Sequence, residues 1–442
     1  MITINDTQYS EQDFAAYDTR FANMDFLFTA NHIAVCLEDN MEWLALCFYA
    51  KKHQLSVMPI HPSTPLNTAK KLAVKSSCDV LFYHQLDNVN HLELDAESMS
   101  SNRINEEPAG LIQMSSGTTG DPKSIKRSWA DIDVEIASYL AVFTQAENMT
   151  PVIACPVTHS YGLICGVLVA LARGQAPVIV TNINPKYLIK TLSGCTEPLL
   201  YSSPTMLEML ISLWPNTNKL HAAMTSGTIM SKPVFDKLNA KVTHLFQQYG
   251  CSEAGCISIC QKMNNANDIG TPLPHMTVTC SKVKDGPSEI IVNIKSEDGA
   301  APKTIHTQDL GYLETNDSGE LTLRFIARLD DTIIVAGQNV YPQEIEDIIL
   351  THPTITDAVI FKVDDRFAGH RVCLQYQAVG LIDAADVRQW CREQLASYQI
   401  PQHLQQVEQI ERLANGKVNR KKIALTFLNA TEKKPAPQTE LA

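Results

Sequence analysis

Ten residues from Ser115 to Ser124, SSGTTGDPKS, combine two glycines, four hydroxyl side chains ahead of Asp121, a proline and Lys123. Backbone N–H groups in a glycine-containing turn, with hydroxyls between the glycines, form a concave donor surface for phosphate oxygens. Lys123 adds a mobile positive charge to it. The order is not that of the P-loop, because Asp121 and Pro122 stand between Gly120 and Lys123. Taken alone, the stretch reads as a polar turn or as a phosphate cradle. Four further segments set charged residues beside turn formers: QQYGCSEAG (247–255) with Glu253, TQDLGYL (307–313) with Asp309, ARLDD (327–331) with Arg328 and Asp330, and NGKVNR (415–420) with Lys417.

These residues need a scaffold, and the pattern around them supplies one. Short apolar runs such as IAVCL (33–37), LSVMPI (55–60), VIACPV (152–157), PLLYSS (198–203) and THLFQQ (243–248) alternate with segments of helical period, as in MEWLALCFYAKK after Asn40, a candidate N-cap. Apolar strands with helical crossovers predict α/β layers with largely parallel sheets, in which ligands bind beyond the carboxyl ends of the strands. From about 272 to 326 short strands separated by Gly, Asp, Asn and Ser predict a β-rich subdomain, with Asp309 in a turn between strands. Residues 330–442 read as a small α+β domain after an N-terminal domain of 1–329. YPQEIEDIIL (341–350) starts one helix, DAADVRQWCREQLASY (383–398) forms a second, Lys417 lies in a loop beyond it, and the tail 431–442 reads as disordered.

Composition narrows the function. The 442 residues carry 36 basic and 48 acidic side chains, a net charge of −12, which disfavours general binding to nucleic acid or anionic membranes. Twelve cysteines occur without any CxxC pair, and Cys251, Cys256 and Cys260 fit neither a zinc nor a thioredoxin spacing. They read as buried thiols of a cytoplasmic protein. The N-terminus lacks the plan of a signal peptide, and the apolar segment Tyr161–Ala172 is too short to span a bilayer.

The five motifs, in this order, resemble those of the acyl-adenylate-forming superfamily of acyl- and aryl-CoA synthetases and carrier-protein-loading adenylation enzymes. The resemblance covers most of the chain. It implies ATP and Mg²⁺ as reactants, a carboxylic acid converted to an acyl-AMP, and transfer to the phosphopantetheine thiol of CoA or of an acyl carrier protein acting in trans. It assigns the phosphates to Ser115, Ser116, Gly117, Thr118, Thr119, Gly120 and Lys123, and the adenine to Tyr249 with Gly250 and Ser252. Mg²⁺ falls to Glu253, the ribose to Asp309 and Arg328, and stabilisation of charge at the α-phosphorus to Lys417. Asp330 takes the position of a hinge about which the small domain turns between two half-reactions, and Gly337 that of a close passage for the pantetheine arm. A buried tyrosine, a solvated glutamate, an exposed aspartate and a surface lysine are the ordinary alternatives for Tyr249, Glu253, Asp309 and Lys417.

On the substrate side, CPVTHSYGLICG (155–166) corresponds to the acyl-pocket motif, with His159, Ser160 and Tyr161 where amino-acid-activating relatives usually carry an aspartate. An unpaired ammonium in a closed pocket is unfavourable, so an acyl or aryl acid is expected and an α-amino acid is the alternative. Ser226, Gly227 and Thr228 resemble the opposite wall. Gln308 and Ala327 replace glycines usual in the family, and Glu411 and Leu413 stand where proline and threonine are common. None of these removes a charged group the chemistry needs. A non-catalytic relative, the remaining alternative, would be expected to lack Lys417 or Glu253.

Overall fold

The computed structural model describes residues 1–30, 32–94, 108–115, 123–182, 184–295, 303–315, 319, 321–365, 368–413 and 417–432. Three sheets organise these residues. In the largest, strands Thr150–Ile153, Val178–Ile179, Pro198–Ser202, Leu220–Thr225 and Val242–Cys251 run parallel. The strand after them, Gly255–Cys260, turns back antiparallel, and through Asp268–Pro272 the path continues into Leu321–Arg328, Lys303–Thr315, Ser288–Ile294 and Met276–Thr279. The β-rich stretch is thus hydrogen-bonded onto the parallel sheet.

Alternation along the parallel strands separates two cores. Leu199, Tyr201, Ala222, Met224 and Phe246 face one way, onto the Trp129–Val142 helix and the second sheet. Leu200, Ala223 and Leu245 face the other, onto the helices Pro185–Gly194, Pro204–Leu213 and Lys232–Lys241. The second sheet orders strands Val80–His91, His32–Leu37, Ser56–Pro59, Gly110–Ser115 and Lys123–Ser128, the last pair antiparallel. The helix after its first strand is capped by Asp39, whose carboxylate accepts from Met41 and Glu42 N–H, and Asn40 is already helical. Asp is as good a cap as Asn, so residue type did not separate the two positions.

The third sheet, Ile333–Val335, Gln338–Val340, Ile355–Asp365, Gly369–Ala378 and His403–Gln406, has its own core. The helices Pro342–Ile349 and Ala384–Gln394 cover one face; Arg420–Glu432 packs Ile423 against Val359, Phe361 and Cys373 on the other. That last helix includes residues 431 and 432, which the sequence assigned to a disordered tail; residues 433–442 lie outside the described residues. Most cysteines are buried and all are free thiols. Among the described residues no helix is long and apolar enough to cross a membrane.

Candidate active site

The first cluster joins three of the motifs. Val242–Cys251 carries Tyr249, whose hydroxyl donates to Oδ2 of Asp309 at 2.6 Å. Arg328, at the end of Leu321–Arg328, donates from Nη1 to Oδ1 of the same carboxylate at 2.8 Å, and Asp309 pairs with Arg328 in the strand register. Asp309 is within the strand Lys303–Thr315, not in a turn. The turn-forming residues around it serve a bulge: the register shifts between Leu310 and Gly311, and Gln308 adopts φ +60°. Gln308 therefore takes the left-handed backbone that favours the glycine usual there. Its N–H and its side-chain amide both donate to Glu289 at 3.0 Å.

Asp309 is buried, and burial raises its carboxyl above the ordinary range although Arg328 and Tyr249 pull it down. Burial, then Asp309, push the Tyr249 phenol well above its usual value. Burial also works against the charge on Arg328, but Asp309 and Asp330 hold its guanidinium above the normal value. The result is a neutral phenol and a cation converging on one carboxylate.

Glu253 sits half-buried in the turn between Val242–Cys251 and Gly255–Cys260, beside Ser252, and among the described residues its carboxylate has no hydrogen-bond partner. Glycines make this turn. A Cβ on Gly250 would lie 2.2 Å from the Gly255 carbonyl oxygen, and Gly255, at φ +76°, faces Arg127 and Glu135 so closely that a Cβ would lie 2.3 Å from the guanidinium. Arg127 and Glu135 form a buried ion pair, and Glu135 also accepts from the Cys256 N–H at 2.8 Å. None of the motifs includes this pair. Its one signal is a glutamate on the buried face of the helix Trp129–Val142, in the apolar setting WADIDVEIASYLAV.

Lys417 lies beyond the helix Ala384–Gln394, as expected, but that helix is not the last: Arg420–Glu432 follows Lys417, its helical character concealed by the basic start RKKI. Lys417 is within electrostatic reach of Arg328, Asp309 and His159. Burial, then Arg328, lower its ammonium below the ordinary lysine value, against Asp309. His159 is lowered too, by burial first and then by His61 and Lys417. Both side chains are exposed to solvent, so neither charge sits in a sealed interior. His61, a neighbour the motifs did not point to, receives the Ser63 N–H on Nδ1 at 3.2 Å.

On the acyl side, Ser160 donates to Oε1 of Gln113. Tyr161 opens a π-helical stretch, Tyr161–Leu168, and spends its hydroxyl on the Met224 carbonyl at 2.6 Å. Ser226, Gly227 and Thr228 follow the strand Leu220–Thr225, and Gly227, at φ +91°, has open space where a Cβ would be. No carboxylate occurs among His159, Ser160, Tyr161, Ser226, Gly227 and Thr228.

Ser116, Gly117, Thr118, Thr119 and Gly120 lie outside the described residues, but the strands at either end of that segment pair, Ser115 with Lys123. Asp330 lies in the turn after Arg328, 3.6 Å from its Nε and 3.5 Å from Nζ of Lys421. Gly337, at φ +83°, and Ala336, at φ +49°, make the two-residue turn between Ile333–Val335 and Gln338–Val340, with open space beside Gly337. The structure thus gathers Tyr249, Asp309, Arg328, Lys417 and His159 and sets Gly337 in a separate hairpin.

Residues 27–287 match the AMP-binding enzyme family, and residues 344–417 match the AMP-binding enzyme C-terminal domain. The chain is 36% identical over 423 residues to a 3,4-dihydroxybenzoate–[aryl-carrier protein] ligase of Bacillus anthracis, covering 95% of this chain and 98% of that one. It is 25% identical to the mouse mitochondrial medium-chain acyl-CoA ligase ACSF2, over 71% of this chain and 56% of that one. Among solved structures, ATP-bound MatB from Rhodopseudomonas palustris superposes with a TM-score of 0.79 at 17% identity, over 97% and 96% of the two chains. MenE from Bacillus subtilis, the o-succinylbenzoate CoA synthetase in complex with its acyl-adenylate OSB-AMP, gives 0.77 at 19%, over 100% and 96%. The chain belongs to the AMP-binding enzyme family and is an adenylate-forming acid–thiol ligase that uses ATP.

Proposed function

We propose that this enzyme activates an aryl acid as its acyl-AMP and loads it onto the phosphopantetheine thiol of an aryl carrier protein supplied in trans. The observation that carries this reading is the full-length similarity to a ligase named for 3,4-dihydroxybenzoate and an aryl carrier protein. The neutral wall of His159, Ser160 and Tyr161 supports it, since an α-ammonium would find no carboxylate there.

In this reading Asp309 accepts the ribose hydroxyls, with Tyr249 and Arg328 orienting it, and Tyr249 also borders the adenine. Lys123 and the 115–120 loop hold the β- and γ-phosphates. Mg²⁺ needs no cage of protein ligands when phosphates supply most of its shell, so the carboxylate of Glu253, without a hydrogen-bond partner among the described residues, suits it. Bound there, the ion would neutralise charge on the departing pyrophosphate. The acid's carboxylate oxygen attacks the α-phosphorus, the bond to the bridging oxygen breaks and pyrophosphate leaves with that electron pair. Lys417 would stabilise the charge that develops, as an ammonium brought within electrostatic reach of Asp309 and Arg328. His159 borders the acyl group. Turning about Asp330 would then withdraw Lys417 and bring Gly337 to the adenylate, where the thiolate attacks the acyl carbon and AMP departs.

Pyrophosphate exchange across hydroxylated benzoates, fatty acids and amino acids tests the reading. Exchange is expected with the benzoates; exchange confined to amino acids, or none from folded protein, would overturn it.

A further inference from the structure

One hydrogen bond ties the C-terminal unit to the parallel-sheet unit at a point remote from the chain connection between them. The helix Lys232–Lys241 begins after Ser231, an extended residue of a good capping type whose side chain makes no capping bond. Pro233 at its first turn has no N–H. The first N–H of the helix, that of Lys232, donates instead to Oδ1 of Asp347 at 3.1 Å, 115 residues away. Asp347 belongs to the helix Pro342–Ile349 of the third sheet, and Gln343 Nε2, one turn earlier, fixes the same oxygen at 2.9 Å. A cleft of about 230 Å³ adjoins the contact, lined by Asn265, Asn267, Phe325, Gln343, Glu344 and Asp347.

A carboxylate at a helix N-terminus is favoured both by the orphan N–H and by the positive end of the helix dipole. Here the cap comes from one unit and the helix from the other, so the bond exists only while the two are docked as in this structure. That docking also brings Lys417 to Arg328, Asp309 and His159.

We propose that Asp347 is a positioning residue: by capping the Lys232–Lys241 helix across the interface it holds the orientation in which Lys417 faces the nucleotide site, and it is released for thioester formation. The inference rests on the two-orientation reading of the function. Loss of the cap weakens only the adenylating orientation, so adenylation falls while the second half-reaction does not. A cap of this kind is worth roughly a factor of five in an equilibrium constant.

The test uses the full-length enzyme with two separate assays. One is pyrophosphate exchange with 3,4-dihydroxybenzoate; the other is thioester formation from supplied 3,4-dihydroxybenzoyl-AMP and a phosphopantetheinylated aryl carrier protein. Asp347→Ala removes the acceptor, and Lys232→Pro removes the donor with a residue suited to the first helical position. Each is expected to lower the ratio of exchange to thioester formation about fivefold, and the double variant no further than either alone. Parallel loss in both assays, an unchanged ratio, or additive effects in the double variant would overturn the latch. Lys417→Ala run alongside separates the two claims. If it lowers both halves equally, the two-orientation reading itself has failed, whatever Asp347 does.

Discussion

The Tyr249 hydroxyl donates to Asp309 at 2.6 Å, and that bond links the strand leading to Glu253 with the strand Lys303–Thr315, whose neighbour ends at Arg328. A hydrogen bond to a buried carboxylate is worth about 1.5–3 kcal/mol, more than a neutral pair. Tyr249→Phe keeps the ring and removes the donor. If Asp309 holds the ribose, the KM for ATP should rise by roughly tenfold while the KM for the acid changes little. Steady-state kinetics with each substrate varied checks this.

Lys417 gives a pH signature. Its ammonium is lowered by burial and by Arg328, so it deprotonates below the ordinary lysine value as pH rises. The proposed role needs the charged form. The alkaline limb of kcat/KM for ATP should therefore begin below the pH at which a free lysine titrates, and Lys417→Arg should move it upward. In kcat the limb should sit higher than in kcat/KM, because bound phosphates favour the cation.

The Arg127–Glu135 pair supports the turn that carries Glu253. Glu135→Ala leaves a buried guanidinium without its carboxylate and the Cys256 N–H without its acceptor. Breaking such a pair from one side costs about 3–5 kcal/mol, to be read in the midpoint of chemical unfolding. Glu253→Gln, by contrast, should leave the midpoint unchanged and raise the Mg²⁺ concentration needed for half-maximal exchange.

The place proposed for Gly337, beside the pantetheine arm, predicts a separation of the half-reactions from the other side. Its hairpin turn has open space beside it, so a Cβ there meets nothing within 4 Å in this orientation. The penalty of a non-glycine residue at φ +83° is about 1–2 kcal/mol. Gly337→Leu should spare pyrophosphate exchange and impair thioester formation from supplied acyl-AMP if the pantetheine arm passes this point.

Much of the cluster was legible because its members stand in short runs: Tyr249 with Glu253, Asp309 with Arg328, and Lys417 each occupy a recognisable local pattern, and Tyr249, Asp309 and Arg328 meet in the fold. What was misread came from residues with two structural uses. Gln308, Asp309 and Gly311 have turn-forming character, and the fold uses it for a bulge inside a long strand instead of a connection. Asp39 and Asn40 are equally good caps, and only the backbone decides between them. The Arg127–Glu135 pair, the His61–His159 neighbourhood and the Asp347 cap join residues far apart in the chain, and no local pattern encodes such a meeting.

In the proposed cycle one lysine, Lys417, serves the first half-reaction and is absent from the second. Lys417→Ala, assayed for pyrophosphate exchange and for thioester formation from supplied acyl-AMP, addresses it most directly. Exchange should fall by roughly a hundredfold or more, as for loss of one transition-state donor, with thioester formation retained. Equal loss in both assays, or exchange that survives, would contradict it.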